Sequence, residues 1–162
     1  MSYPDPRYLG DGGEVSAIFR PAGREPDLKV GTSAASYIAT GESTGGKFGL
    51  YRWDMVPGTP GAAAHFHRTI SESFFILSGK VGLFDGEKWT EATSGDFLYV
   101  PEGGVHGFRN GSDEPSSMLI LFAPGAPREA YFEVLAEVAL GKRRFTPKEY
   151  KEFCERHDNI FV

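Results

Sequence analysis

The sequence has little cysteine, no excess of positive charge and no long apolar segment. Its single cysteine, Cys154, has no partner in the chain for a disulfide, so we expect a reduced, structural thiol. The net charge of -5 argues against a nucleic-acid partner, which usually requires a basic surface that matches phosphates. The longest apolar run, at 118–123, has the length of a strand and is too short to cross a bilayer.

The first residues also lack the basic and apolar regions of a secretory signal, so a cytoplasmic location is expected. A chain of 162 residues with 40% hydrophobic side chains is long enough to form one core. The sequence therefore predicts a cytoplasmic protein that binds neither a membrane nor nucleic acid.

Short strand candidates separated by turn signals dominate the middle of the chain. They lie at 37–40, 48–56, 63–68, 72–77, 80–84, 88–91, 97–100, 106–109 and 117–123, with one more at 14–19. In the candidate at 48–56, either Leu50 with Arg52 or Tyr51 with Trp53 faces inward. Many short strands of this kind predict an all-β barrel or sandwich.

The C-terminal third has helical periodicity instead. One helix is expected over 128–140, ending at Gly141, and a second opens with a capping box at 146–149 and runs to about residue 156. We expect both helices to cover the outside of the barrel and to take no part in chemistry. The predicted organisation is an N-terminal arm (1–36), a β-barrel (37–125) and a C-terminal helical extension (126–162).

Three of the four histidines and one glutamate are spaced as ligands of a single metal ion. In a strand His65 and His67 point to the same face, and Glu72 follows after enough residues for a turn to bring its carboxylate back. His106 would arrive from a distant strand. Burying these groups unpaired would be costly, which favours a metal site. Such nitrogen and oxygen donors suit divalent iron, nickel, manganese, copper or zinc, and the sequence does not choose among them.

The segments that hold these residues resemble the paired motifs of the cupin superfamily, G(X)5HXH(X)3-4E(X)6G and G(X)5PXG(X)2H(X)3N. The second motif matches at Gly95, Pro101, Gly103, His106 and Asn110. The first matches at His65, His67, Glu72 and Gly79, with Thr59 in place of the opening glycine, a departure that affects a turn and not a ligand. The resemblance covers about residues 48–123. It implies a double-stranded β-helix, or jelly-roll barrel, in which these three histidines and the glutamate hold the metal.

Strand alternation places Phe108 on the face of His106, and Phe74 and Ile76 on the face of Glu72. We therefore expect an apolar, aromatic pocket that suits a small, flat organic substrate. The alternative is that these side chains only fill a small barrel.

The resemblance implies an enzyme, and first a quercetinase-like dioxygenase, an oxidoreductase in which Glu72 also accepts a proton from the substrate. The first alternative is a non-redox cyclase or isomerase, similar to the cupin cyclases of polyketide pathways, with the ion acting as a Lewis acid. The second is a non-catalytic module that binds a small molecule. The resemblance also implies a homodimer, because cupins of this size commonly form dimers that pair sheet edges through an N-terminal strand or arm.

Overall fold

A computed structural model describes residues 2–31 and 33–162 as two antiparallel β-sheets with two helices near the C-terminal end. The described strands are β1 (Leu28–Val30), β2 (Ser33–Ala39), β3 (Gly49–Met55), β4 (Ala62–Phe66), β5 (Ser71–Ser78), β6 (Val81–Phe84), β7 (Trp89–Ala92), β8 (Phe97–Val100), β9 (His106–Arg109), β10 (Ser116–Ala123) and β11 (Ile160–Phe161). The helices are α1 (Arg128–Ala139) and α2 (Pro147–Arg156).

One sheet has the order β1-β2-β3-β10-β5-β8 and the other β11-β4-β9-β6-β7, and every pairing is antiparallel. Many short antiparallel strands in two facing sheets, followed by two short helices, confirm the predicted all-β jelly roll with a helical C-terminal end.

The core lies between the sheets and is built by strand alternation. In β3 the buried side chains include Tyr51 and Trp53, whereas Arg52 is exposed and Leu50 is half-buried. Met118, Ile120 and Phe122 of the neighbouring β10 are buried in the same layer. The structure thus selects Tyr51 with Trp53 as the inward pair, the alternative that the sequence left open.

The helices begin where the sequence predicts and pack on the core with their apolar sides. Thr146 caps α2 through the predicted capping box with Glu149, and Pro147 occupies the first turn. Phe153 and Cys154 of α2 are buried in the core, so the thiol is enclosed. Neither helix in the described ranges is long and apolar enough to cross a membrane.

The N-terminal region differs from its prediction. The candidate strand at 14–19 is not a strand, and residues 2–19 are exposed throughout. A strand needs a partner for its backbone groups, and this segment pairs with neither sheet. The expected boundary between arm and barrel falls inside β2, because the six-stranded sheet already begins with β1. Met1 and Thr32, which belong to the predicted arm, lie outside the described residues.

Candidate metal centre

The four predicted donors meet at one buried point between the sheets. His65 lies in β4 opposite His106 of β9, His67 follows the end of β4, and Glu72 comes from β5 of the facing sheet. Their ligand atoms all lie within 4.8 Å of one another, and all four residues are buried. A cluster with members on both sheets depends on the whole fold rather than on a local motif.

Backbone carbonyl oxygens orient all three imidazoles. The acceptors for the Nδ1 atoms are Ala63 for His65 (2.8 Å), Gly104 for His106 (2.9 Å) and Asp158 for His67. A carbonyl oxygen only accepts, so each Nδ1 carries its proton and each Nε2 is left for the centre of the cluster. The Nε2 atoms of His67 and His106 lie 2.9 and 2.8 Å from Oε2 of Glu72.

The protonation states of Glu72 and His65 also suit metal binding. Burial acts to raise the pKa of Glu72, but the neighbouring His106 and His67 outweigh it and hold this pKa well below its ordinary value. Burial lowers the pKa of His65 to about 4. Burial would also lower the pKa of His106, but Glu72 reverses the effect and raises it. At neutral pH Glu72 is therefore a carboxylate and His65 a neutral imidazole, the forms that bind a cation.

The loop that carries His67 is fastened by Asp158, just beyond α2. The Asp158 carboxylate accepts hydrogen bonds from the backbone N–H groups of Arg68 and Thr69 (both 2.8 Å) and from the Thr69 hydroxyl (2.7 Å). Its own carbonyl orients His67, and its φ of 56° turns the chain to make both contacts. The sequence analysis missed this residue because no local motif links positions about ninety residues apart.

A cavity of about 440 Å³ adjoins the cluster at His65 and Glu72. Its remaining wall is mostly apolar and aromatic, and its larger side chains include Trp53, Phe108, Phe122, Arg128, Tyr131 and Phe132. A molecule in the cavity could approach the donor set from the side of His65 and Glu72.

The three predicted pocket residues occupy different places. Phe108 lies on the wall of the cavity. Phe74 and Ile76 are fully buried in the core. The ring centre of Phe74 is 5.9 Å from that of His106 and 5.8 Å from that of Phe108, so Phe74 packs behind the centre.

The expectation that the helices only cover the outside is wrong, because both helices line the cavity. Arg128, Tyr131 and Phe132 come from α1, and Tyr150 comes from α2. The helical periodicity of this region predicted a helix packed on the barrel but gave no sign that the helix would line a cavity. The helical extension thus forms part of the cavity wall.

The donor set fits a divalent ion. Three imidazole nitrogens and one carboxylate oxygen are ligands that divalent transition metals accept, and Glu72 and His65 already have the protonation states that such an ion needs. The cluster is therefore able to bind a metal, and these four donors alone do not distinguish among the candidate ions.

Comparison with known proteins agrees with this description. Residues 51–122 match the family described as "Cupin domain". An uncharacterised protein from Aquifex aeolicus (strain VF5) is 39% identical over 61 residues, which are 37% of this chain and 49% of that protein, so the chain spans about half the length of this curated relative.

Two solved structures show a similar fold. A predicted oxalate decarboxylase from Thermotoga maritima has a TM-score of 0.60 and 18% identity, over 67% of this chain and 99% of that one. The polyketide cyclase RemF from Streptomyces resistomycificus has a TM-score of 0.51 and 22% identity, over 62% of this chain and 69% of that one. At these identities the likeness is one of fold alone.

Proposed function

We propose that this chain, whose residues 51–122 match the cupin domain family, is a metal-dependent enzyme, and specifically a dioxygenase of small aromatic or enolisable compounds. The observation that carries the proposal is the 440 Å³ cavity, which joins an aromatic wall to the metal donors at His65 and Glu72. A largely apolar cavity with a few convergent polar groups is typical of a site for a small organic ligand.

In this proposal His65, His67, Glu72 and His106 hold one divalent ion. These side chains by themselves do not bind substrate oxygen atoms or dioxygen, and the bound ion would supply that affinity. Of the four donors, Glu72 is the carboxylate at the cavity. It is ionised at neutral pH, so it can accept the proton of a substrate hydroxyl group that approaches from the cavity.

The aromatic wall would orient the substrate and exclude water. Phe122 lies close to the donors, with its ring centre 6.1 Å from that of His67, and Phe132 stands 6.4 Å from Phe122. Rings at such distances offer faces and edges to a flat molecule. We infer that an aromatic substrate places its hydroxyl group toward Glu72 and its ring against these side chains.

A second candidate is a non-redox cyclase or isomerase. The likeness in fold to the polyketide cyclase RemF favours this alternative, and the same donors would serve it. Here the ion would polarise a carbonyl group while Glu72 removes a neighbouring proton. A non-catalytic binding protein would use the same cavity without turnover.

Oxygen consumption tests these possibilities. Protein loaded separately with Fe²⁺, Ni²⁺, Mn²⁺, Cu²⁺ or Zn²⁺ is assayed with a panel of phenolic and enolisable compounds in an oxygen electrode cell, with product analysis in air and under argon. The dioxygenase proposal predicts oxygen uptake that depends on the substrate and is abolished in Glu72→Ala. Turnover under argon would contradict it in favour of the cyclase. Tight binding without any turnover would indicate a binding protein.

We also propose a homodimer. Phe75 of β5 and Phe97 and Tyr99 of β8 are 41%, 62% and 57% exposed on the outer face of the six-stranded sheet, and β8 is an edge strand of that sheet. An exposed aromatic patch beside an unpaired edge supports a self-contact. Light scattering after gel filtration should give twice the chain mass of 17.7 kDa, and Phe97→Lys should give the monomer mass. A monomer in the unmodified protein would contradict the proposal.

A further inference from the structure

The first residue of α1 is a buried arginine without an acidic partner. Arg128 is only 4% exposed and lies on the wall of the cavity. Its Nη1 donates to the carbonyl oxygen of His157 (2.7 Å) and its Nη2 to Oδ1 of Asn159 (2.8 Å), both neutral acceptors. Its Nε has no hydrogen-bond partner, and no carboxylate of residues 2–31 and 33–162 lies within 4.0 Å of the guanidinium.

Aromatic rings surround this cation. Its guanidinium carbon is 4.9 Å from the ring centre of Phe122, 4.5 Å from Tyr131 and 5.5 Å from Phe132. Ring faces attract a cation but do not replace a counter-charge. Arginine remains charged even when buried, so the fold carries a desolvated positive charge that is only partly compensated.

The positive charge of Arg128 would be even less compensated with a metal bound nearby. Burial lowers the pKa of Arg128, and among the acidic groups Glu72 opposes that effect most. Glu72 is also one of the four metal donors, so a bound cation would offset the negative charge that now helps Arg128. An anionic ligand in the cavity would restore the balance.

We propose that Arg128 binds a carboxylate of the substrate, so that the substrate class is a flat aromatic acid. The guanidinium lies on the cavity wall and is not fully paired within the protein, and an N–H donor bonded to a carboxylate forms one of the stronger hydrogen bonds in proteins. Phe122 contacts both Arg128 and His67, so one ring stacked there can have its acid group at Arg128 and another oxygen atom near the donors. This inference rests on the proposed use of the cavity as a substrate site.

A purely structural role for Arg128 makes a different prediction. Arg128 also ties α1 to the chain after α2, through His157 and Asn159. If that tether were its only function, removing the tether elsewhere would have the same effect on ligand binding as removing the charge. Asn159→Ala breaks one of the two tethering hydrogen bonds and keeps the guanidinium, so it separates the two roles.

The test uses 2-naphthoate and 2-naphthamide, which differ in charge but hardly in shape. Binding is measured by calorimetry on chelator-treated, metal-free protein, so the result does not depend on metal or turnover. The unmodified chain should prefer the acid about 10- to 100-fold, the range of a charged hydrogen bond. Arg128→Met should lose this preference, Arg128→Lys should keep much of it, and Asn159→Ala should keep it.

Circular dichroism and thermal melting identify variants that do not fold. If Arg128→Met is unfolded, Arg128→Gln replaces it as the uncharged variant, and an undiminished preference for the acid in that variant would overturn the proposal. Equal affinities for acid and amide in the folded, unmodified chain would overturn the proposal, as would the absence of naphthoate binding at millimolar concentration. The dioxygenase proposal is tested by the oxygen-uptake assay, whose result does not depend on this binding measurement. Failure of one proposal can therefore be distinguished from failure of the other.

Discussion

Replacing Asp158 by Asn should weaken metal binding although Asp158 is not itself a ligand. Its carboxylate accepts three hydrogen bonds from Arg68 and Thr69, and its carbonyl orients His67. Asparagine tolerates the left-handed backbone, here at a φ of 56°, so Asp158→Asn changes the carboxylate and leaves the turn possible. In the variant the amide N–H₂ group replaces one carboxylate oxygen and faces the N–H or O–H donors of Arg68 or Thr69, so at least one of these hydrogen bonds is lost.

The size of the effect follows from these contacts. A hydrogen bond to a charged acceptor contributes about 1.5–3 kcal/mol, but this carboxylate is only partly buried and water can replace lost partners. We therefore expect a total loss of about 1–2 kcal/mol in the free energy of unfolding, or about 2–8 °C in melting temperature. Loss of support for a ligand should lower metal affinity about 10-fold or more.

The matched control is Asp85→Asn. Asp85 accepts hydrogen bonds from the backbone N–H groups of Glu87 and Lys88 in the turn between β6 and β7, away from the metal centre. Zn²⁺ affinity is measured by competition with a chromophoric chelator, and stability by chemical denaturation. Asp85→Asn should lose stability alone, whereas Asp158→Asn should lose stability and affinity. Equal Zn²⁺ affinities in the two variants would refute the reasoning.

Three further predictions concern the frame around the site. Hydrogen bonds in the helix cap hold the pKa of Glu149 below its ordinary 4.5, so the stability that its carboxylate contributes is present above pH 4.5 and lost as the pH falls through the lower folded pKa. The difference in free energy of unfolding between the unmodified chain and Glu149→Gln, measured by chemical denaturation, should therefore vanish in acid. A difference that does not change with pH would show that the cap is unimportant. Tyr51→Phe removes a buried hydroxyl that donates to Glu129 and should cost about 1–2 kcal/mol by chemical denaturation; no loss would show that the bond is weak. Gly61→Ala puts a Cβ 2.0 Å from a backbone oxygen of the neighbouring strand and should lower the free energy of unfolding by at least about 2 kcal/mol. The control Gly58→Ala has a similar φ but open space around its Cβ, so it should lose less. Equal shifts in melting temperature for the two variants would contradict this prediction.

The sequence was most informative where a short motif carries the chemistry. The donors His65, His67 and Glu72 could be named from strand alternation and the short interval to Glu72, whereas His106 could be added through the resemblance of its segment to the second cupin motif. The strand boundaries were accurate to within a few residues in this part of the chain. Turn-forming glycines mark the ends of its strands, as at Gly79 after β5.

Features that depend on distant contacts could not be predicted in this way. The strand β11 has two residues, too few for any periodicity, and it exists because the edge of β4 is available. Conversely, the candidate strand at 14–19 is not a strand, because this segment has no partner in either sheet. Arg128 stands at the start of a helix, where a charged side chain is ordinarily exposed, and only the packing of α1 on the cavity buries it.

The most direct test of the account is the metal content of the protein, purified without a histidine tag or added metal and measured by inductively coupled plasma mass spectrometry. We expect about one divalent ion per chain in the unmodified protein, and none in the double variant His65→Ala, His67→Ala. His157→Gln changes the fourth histidine, which lies outside the cluster, and should keep its ion. Equal metal content in the double variant and the unmodified protein, or no metal in either even after loading, would contradict the central claim that these four side chains form a metal centre.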